Sequence, residues 1–402
     1  MKLDLDILLT ACQAGEASHM VFTTEMTPAA GPFAAIAPAR FATQGGSAYA
    51  YEKRWFDGEP LNCVLVDSKP SQLNRIEQAI VHGIADGHPA LNKMPRIVVR
   101  YDSTAGEPDV EFSDLELPHR WTDAHVRSGD TSGSSVVQDE AFRAARNAGP
   151  ADVSAVMELA PAGLVFGSWD STRRSRQARY PSALVGEIIG VTADQESRDP
   201  AARHSGARVD PVAASVQLPG AVLKQLAGGQ DGELSPTTMA KVKKLKDKEI
   251  QSASTLGLGN VPPKLEDVAG LATRRIIRSH VLSFATLRRL RFGGGPEKDA
   301  AARTLLAAVA LWGLTASYSD GFLRANCHLA EASAPVVVLK GRFGHDEQID
   351  PPTLAEADAL LEAALAHAVG HGVRWQGQVM QVLGDPAVLA GADDTADPEG
   401  GE

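Results

Sequence analysis

The stretch LNCVLVDSKPSQLNRIEQAIVHG, residues 61–83, changes its hydrophobic period half-way along. Leu61 to Asp67 is a short, apolar, partly β-branched run and reads as a strand. From Ser71 to Gly83 the period is helical. Leu73, Ile76, Ile80 and Ile84 form one stripe, which leaves Arg75, Gln78 and His82 on the opposite face. Pro70 suits a first helical turn, so the reading is a strand feeding a helix across a polar junction.

Working outward, Arg96–Tyr101, Leu164–Ser168, Ala183–Val191 and Pro335–Leu339 are strand candidates. Ser135–Asn147, Asp299–Ala316 and Leu354–Val369 read as helices, the middle one apolar almost all round. Thr192–Pro236 is rich in Asp, Gly, Pro, Ala and Gln without sustained period and is expected to be a long loop. Met239–Ile250 carries five lysines, Lys241, Lys243 and Lys244 among them, around a thin stripe of Val242 and Leu245. Apolar periodicity resumes over Val281–Phe292 and breaks at Gly293-Gly294-Gly295-Pro296. Irregular alternation of strands and helices predicts an α+β sheet with helices on one face, a doubly wound sheet being the competing class.

The formal charge is −11, and its distribution matters more than its sum. From His345 to Glu402 there are 12 acidic residues and one basic, Arg374, so the whole excess lies there. Gly163–Gly295 instead holds 20 basic and 12 acidic residues. The three cysteines, Cys12, Cys63 and Cys327, are far apart and form no C-x-x-C pair, which reads as reduced core thiols in a cytoplasmic protein. Met1–Ala11 has no basic leader and no small-residue cleavage site, and no uninterrupted apolar run nears the ~20 residues of a membrane span.

The phosphate loop, the dinucleotide fingerprint, the HExxH metalloprotease helix and the GxSxG elbow are all missing from the chain. His367 and His371 stand four apart on an expected helix, but with no third ligand placed beside them no metal or other cofactor is expected. Lys340-Gly341-Arg342-Phe343-Gly344 matches only the opening of an RNA-recognition-motif signature, and aromatics are 5% of residues. Base stacking is therefore not expected to be the main grip on a nucleic acid. Backbone contacts from Arg, Lys, Ser, Thr, Asn and Gln at turns and helix starts remain.

Three segments concentrate those residue types: Asp67–Arg75, Gly167–Arg174 and Leu287–Phe292. Taken in order, Asp67-Ser68-x-x-Ser71-Gln72-x-Asn74-Arg75-x-Glu77, then Phe166-Gly167-Ser168-Trp169-Asp170-Ser171-Thr172-Arg173, then Leu282-Ser283-x-x-x-Leu287-Arg288-Arg289-Leu290-Arg291-Phe292 resemble the CRISPR-associated RAMP backbone subunit, the Cas-seven-like family, of type I-U (I-G) Cascade. Asn260-Val261-Pro262-Pro263 fits as well. The resemblance runs from about Val21 to Val373 and departs at Gly186, where a serine is expected before Glu187-Ile188.

The resemblance implies a ferredoxin-like, RNA-recognition-motif-derived core over residues 1–373. It carries an inserted thumb-like or finger-like segment at about 192–262; the acidic stretch 374–402, which the resemblance does not reach, is read from its composition as a partly disordered tail. The resemblance also implies a guide-RNA-binding, non-enzymatic subunit. Its partners would be the CRISPR RNA, a target DNA strand reached through the guide, further copies of itself and other Cascade subunits, with no membrane. Arg75, Arg173, Arg174, Arg288, Arg289 and Arg291 are the expected phosphate ligands. Ser68, Ser71, Gln72, Asn74, Ser168, Ser171 and Thr172 are the expected hydrogen-bonding partners, and Lys241, Lys243 and Lys244 are further contacts on the insertion. Trp169 reads either as a core residue or as a base-stacking one. Two rivals remain: a ribonuclease using Asp170, Asp67 or His119, and a nonspecific single-strand binder acting alone.

Overall fold

Ser68 ends one element and starts the next. Its backbone is extended, its hydroxyl accepts the amide of Ser71 at 3.4 Å, and proline occupies the first turn that follows. The strand Glu59–Asp67 thus hands over directly to the helix Lys69–Ala85, on which Leu73, Ile76 and Ile80 are buried.

The computed structural model describes residues 1–13, 15–43, 46–102, 109–174, 179–196, 202–203, 216–230, 232–259 and 268–388. The acidic end from 389 onward, much of the expected loop and Asn260–Pro263 lie outside the described residues. The main elements are α1 (Leu5–Cys12), β1 (His19–Pro28), β2 (Tyr51–Phe56), β3 (Glu59–Asp67), α2 (Lys69–Ala85), β4 (Leu184–Thr192), β5 (Thr273–Ser283), α3 (Pro296–Asp320), β6 (Val336–Lys340), β7 (Asp346–Ile349) and α4 (Leu354–Gly370). The fold is α+β.

The large sheet runs β7-β6-β1-β5-β4-β3-β2, every neighbour antiparallel, with Leu329–Glu331 also pairing to β1. Within it β1, α2, β4, β5, α3 and β6 follow a β-α-β-β-α-β path whose strands lie in the order fourth, first, third, second. A second sheet joins Arg96–Tyr101 to Val110–Ser113 and, in parallel, to Val379–Leu383.

Met20, Phe22, Thr24 and Met26 of β1 and Ile276, Arg278, His280 and Leu282 of β5 point to one face and are buried, the period of two that a one-sided sheet requires. Arg278 and His280 hid this strand from a reading by apolar period. Arg278 is bonded to Glu331 and lies 3.6 Å from the Tyr318 ring centroid, while the His280 Nδ1 and the Tyr318 hydroxyl are 2.9 Å apart. Burial first, then the Arg278 charge, push the His280 pKa down to about 3, so the ring is neutral. The departure at Gly186 has its reason here. Gly186 pairs with His280, and any Cβ at 186 would stand 2.0 Å from that ring, so a serine there collides.

Helix α3 starts at Pro296 and stops at Gly321, whose φ of +65° ends it. It is long and apolar enough to cross a membrane by length and composition, but 83% of its most apolar window is buried within the fold, so that surface packs the core. Its Gly313 would bring a Cβ within 2.8 Å of Ile76, and Gly83 of α2 would do the same at 2.5 Å from Trp312; glycine at both places lets the two helices close.

Several expected boundaries move. Leu164–Ser168 is buried, as a strand would be, yet it begins as the helix Ala162–Val165 and turns at Gly167, φ +85°. A short apolar run does not separate these options by itself. Ser135–Asn147 is α-helical only from Glu140, where the Asp139 carboxylate accepts the Phe142 amide at 2.9 Å, and a separate 3-10 turn, Val136–Gln138, precedes it. Val281–Phe292 finishes β5 and adds one short helix, Phe284–Leu287.

Asp199–Leu271 forms a unit of its own. Its described part pairs Gln217–Pro219 with Ile250–Ser252 and packs the helices Gly220–Gly228 and Pro236–Lys243 around Leu223, Ala227, Val242 and Ala253. The loop expected over Thr192–Pro236 therefore contains, among its described residues, the short strands Ala202–Arg203 and Gln217–Pro219 and a helix, Gly220–Gly228. The helix escaped because its apolar stripe spans barely two turns between Pro219 and Gly228-Gly229. Lys241, Lys243 and Lys244 are exposed on this unit.

Candidate nucleic-acid interface

Asp67 closes β3 at the first segment, fully buried. Its carboxylate accepts the Ser71 hydroxyl at 2.9 Å, the Gln72 amide at 2.5 Å, the Arg75 Nε at 3.4 Å, and Arg324. Arg75 goes on to the carbonyls of Phe322 and Leu323 at 2.7 and 2.5 Å. Ser71, Gln72 and Arg75 are thus gathered around one internal anion. Ser68 caps α2, and Asn74 faces solvent.

At the second segment Ser168 is buried; its hydroxyl accepts the Trp121 Nε1 at 3.0 Å and donates to the Gly163 carbonyl at 3.3 Å. Trp169 next to it is half exposed, so it lies outside the core. Asp170 is buried against Arg146 at 2.7 Å and Thr172 at 2.8 Å. Burial pulls its pKa upward, but the Arg146 and Thr172 hydrogen bonds outweigh that and hold it below the usual carboxylate range. Arg173 donates to the carbonyl of Arg146 and, at 2.9 Å, to Asn147, while Ser171 and Arg174 are exposed.

Arg288 of the third segment donates to the carbonyls of Ala11, Gln13 and Ala17 at 2.8, 3.3 and 2.7 Å, closing the end of α1. Arg291 meets Asp299 at 2.8 Å near the start of α3. Arg289 projects into solvent between them.

Two of these segments meet in one groove of about 580 Å³, lined by Pro118–Arg120, Gly167–Trp169, Arg179–Pro181 and Arg289. Ser168–Trp169 pairs antiparallel with Arg179–Tyr180, and the Arg179 guanidinium lies over the Trp169 ring at 4.9 Å. Beneath the groove, residues 120–122 hold the Gly167 turn. Arg120 donates to the Gly167 carbonyl at 3.0 Å, Trp121 to Ser168, and the Thr122 hydroxyl to the Trp169 carbonyl at 3.3 Å. Arg120 is itself fixed bidentately by Glu77 of α2, at 2.5 and 2.8 Å. Arg120, Trp121 and Arg179 were not singled out in the sequence; the Pro118-His119-Arg120-Trp121 cluster was the available signal.

Asp114 sits behind this pair, fully buried. One carboxylate oxygen accepts the Ile97 amide at 3.1 Å and the other has no partner. Burial, with the Glu77 charge adding to it, raises its pKa to about 7. The folded chain therefore binds this proton more tightly than the unfolded one. That contribution is fully present below pH ~4 and is lost as pH rises to about 7. Asp114→Asn is expected to be more stable than the parent at pH 8 by a few kcal/mol, at ~1.4 kcal/mol per pKa unit, with the gap closing toward pH 4. Urea denaturation at the two pH values checks it, and a gap that does not change with pH contradicts it.

Residues 20–195 match the family model for CRISPR-associated protein GSU0053, a span that opens in β1 and includes Asp67–Glu77, residues 118–122, Gly167–Trp169 and Arg179–Tyr180. Over that span, a little under half of its length, the chain is similar to a CRISPR-associated family. No curated protein matches the chain. The matched span supplies every lining residue of the groove except Arg289. Among the described residues no cluster of three or more His, Cys, Asp or Glu is placed to hold a metal ion. The His367 and His371 rings lie 4.3 Å apart, with the His371 Nδ1 2.9 Å from the His367 carbonyl.

Proposed function

We propose that this chain is a guide-RNA-holding backbone subunit of a type I Cascade, of the I-U (I-G) subtype, acting in antiviral defence in the cytoplasm. Several copies lie along one CRISPR RNA, beside other Cascade subunits, and the guide they hold pairs with the target DNA strand. The groove carries the reading: Arg179, Arg289 and Trp169 are turned outward there, while Arg75, Arg288 and Arg291 are engaged within the fold. Cations over a shallow groove suit a phosphate backbone. The β-α-β-β-α-β path of the large sheet supports a ferredoxin-like RAMP core.

A holding rather than a cleaving role is favoured by Asp67 and Asp170, whose carboxylates are occupied by internal arginines and hydroxyls. RNA cleavage by the purified protein that is lost in Asp170→Ala would overturn that part. For the grip itself, Arg289→Ala is expected to weaken RNA of any sequence and to lower the slope of log affinity against log salt by about 1. Titrations between 50 and 300 mM salt measure it; an unchanged slope places Arg289 off the RNA.

A further inference from the structure

The proposed function accounts for the charge of the groove but not for its indole. Half of Trp169 is open to solvent, and among the described residues the Arg179 guanidinium lies over its ring. Its mounting is rigid. The Trp169–Arg179 pair is fixed by the two-residue ladder, by the Thr122 hydroxyl on the Trp169 carbonyl and by the buried Trp121–Ser168 bond next to it. The guanidinium at 4.9 Å adds a second flat, weakly hydrated surface to the ring.

Two other exposed aromatics, Phe343 and Trp55, lack this setting. Phe343 also carries an arginine, Arg342, at 4.8 Å, but its groove is lined by Asp6, Glu16 and Glu347, which repel phosphate. Trp55 stands on the edge strand β2 near Glu52 and the Glu52–Arg54 ion pair. At Trp169 the groove is lined by Arg120, which is paired with Glu77, and by Arg179 and Arg289. The polar groups beneath the ring are committed: Arg120 to Glu77, Ser168 to Trp121 and Gly163, and Thr122 to backbone carbonyls. A base lying here meets a π surface rather than those groups, so stacking without sequence preference is the chemistry on offer.

We infer that Trp169 and Arg179 form a stacking site for one unpaired nucleobase of the bound RNA, with Arg289 taking the adjoining phosphate. The inference rests on the RNA-holding reading and adds to it that the strand is gripped by one base as well as by its backbone. Such a site is preorganised, so little ordering cost opposes binding.

The test uses the full-length protein with two single strands of equal length, an oligoribonucleotide and the same backbone carrying abasic residues. Trp169→Ala is expected to weaken the oligoribonucleotide roughly 5- to 150-fold and Trp169→Phe much less, the span measured for base–aromatic stacking. The abasic strand is expected to bind the parent weakly and to be indifferent to either substitution. Unaltered circular dichroism of Trp169→Phe, with intermediate affinity, keeps the reading free of a folding artefact. If Trp169→Ala binds the oligoribonucleotide as the parent does, the stacking site is wrong and the backbone grip stands. If the parent binds neither strand, the RNA-holding reading falls, and the stacking site with it.

Discussion

Asp67→Ala is expected to destabilise the larger unit by about 3–5 kcal/mol, the cost of removing one partner from a buried ion pair. The carboxylate is fully buried and gathers four donors, from Ser71, Gln72, Arg75 and Arg324. Alanine leaves the buried Gln72 amide without its acceptor and two guanidiniums without their counter-charge. The carbonyls of Phe322, Leu323 and Val66 would still hold those guanidiniums close together. Asp67→Asn keeps the shape and loses the charge, so it should fall between the two. Urea denaturation followed by circular dichroism measures the series; a cost below ~1 kcal/mol for alanine would show that the network is not structural.

Arg120→Ala should cost a similar 3–5 kcal/mol, for a related reason with a distinguishing twist. Glu77 is buried, and without the guanidinium it is a lone carboxylate beside the partly satisfied Asp114. Burial already pushes the Glu77 pKa up against the opposing pull of Arg120, so removing Arg120 moves it further in the same direction. The loss should therefore shrink as pH falls and the carboxyl takes up a proton, and Glu77→Gln in the same chain should recover part of it. RNA affinity should drop as well, because the Gly167 carbonyl loses the donor that holds the turn under Trp169. A stability loss that ignores both pH and Glu77→Gln would contradict this account of the pair.

The strand-to-helix junction at residues 61–85 was legible because the hydrophobic period changes within it and Ser68 and Pro70 mark the change. The strand Thr273–Ser283 was not, since Arg278 and His280 stand where a one-sided sheet usually places apolar residues, and their partners Tyr318 and Glu331 come from elsewhere in the chain. The same separation hid the site. Asp67 and Arg324 are 257 residues apart, so nothing local showed that Ser71, Gln72 and Arg75 surround an internal carboxylate. Arg288 reads as a free cation in Leu287–Phe292 until α1 places three carbonyls on it.

Trp169 and Arg289 were visible within polar motifs. Arg179 was not, because a two-residue ladder has no period to detect. Glycine at 186 looked like a deviation and is the packing partner of a buried histidine.

The central claim is that this chain holds guide RNA. Its most direct test is purification of the protein from cells expressing a CRISPR array, followed by sequencing of the RNA that comes with it. The account predicts processed CRISPR RNAs of defined ends, recovered in greatly reduced amount with Arg289→Ala combined with Trp169→Ala. Heterogeneous cellular RNA, or none, would contradict it.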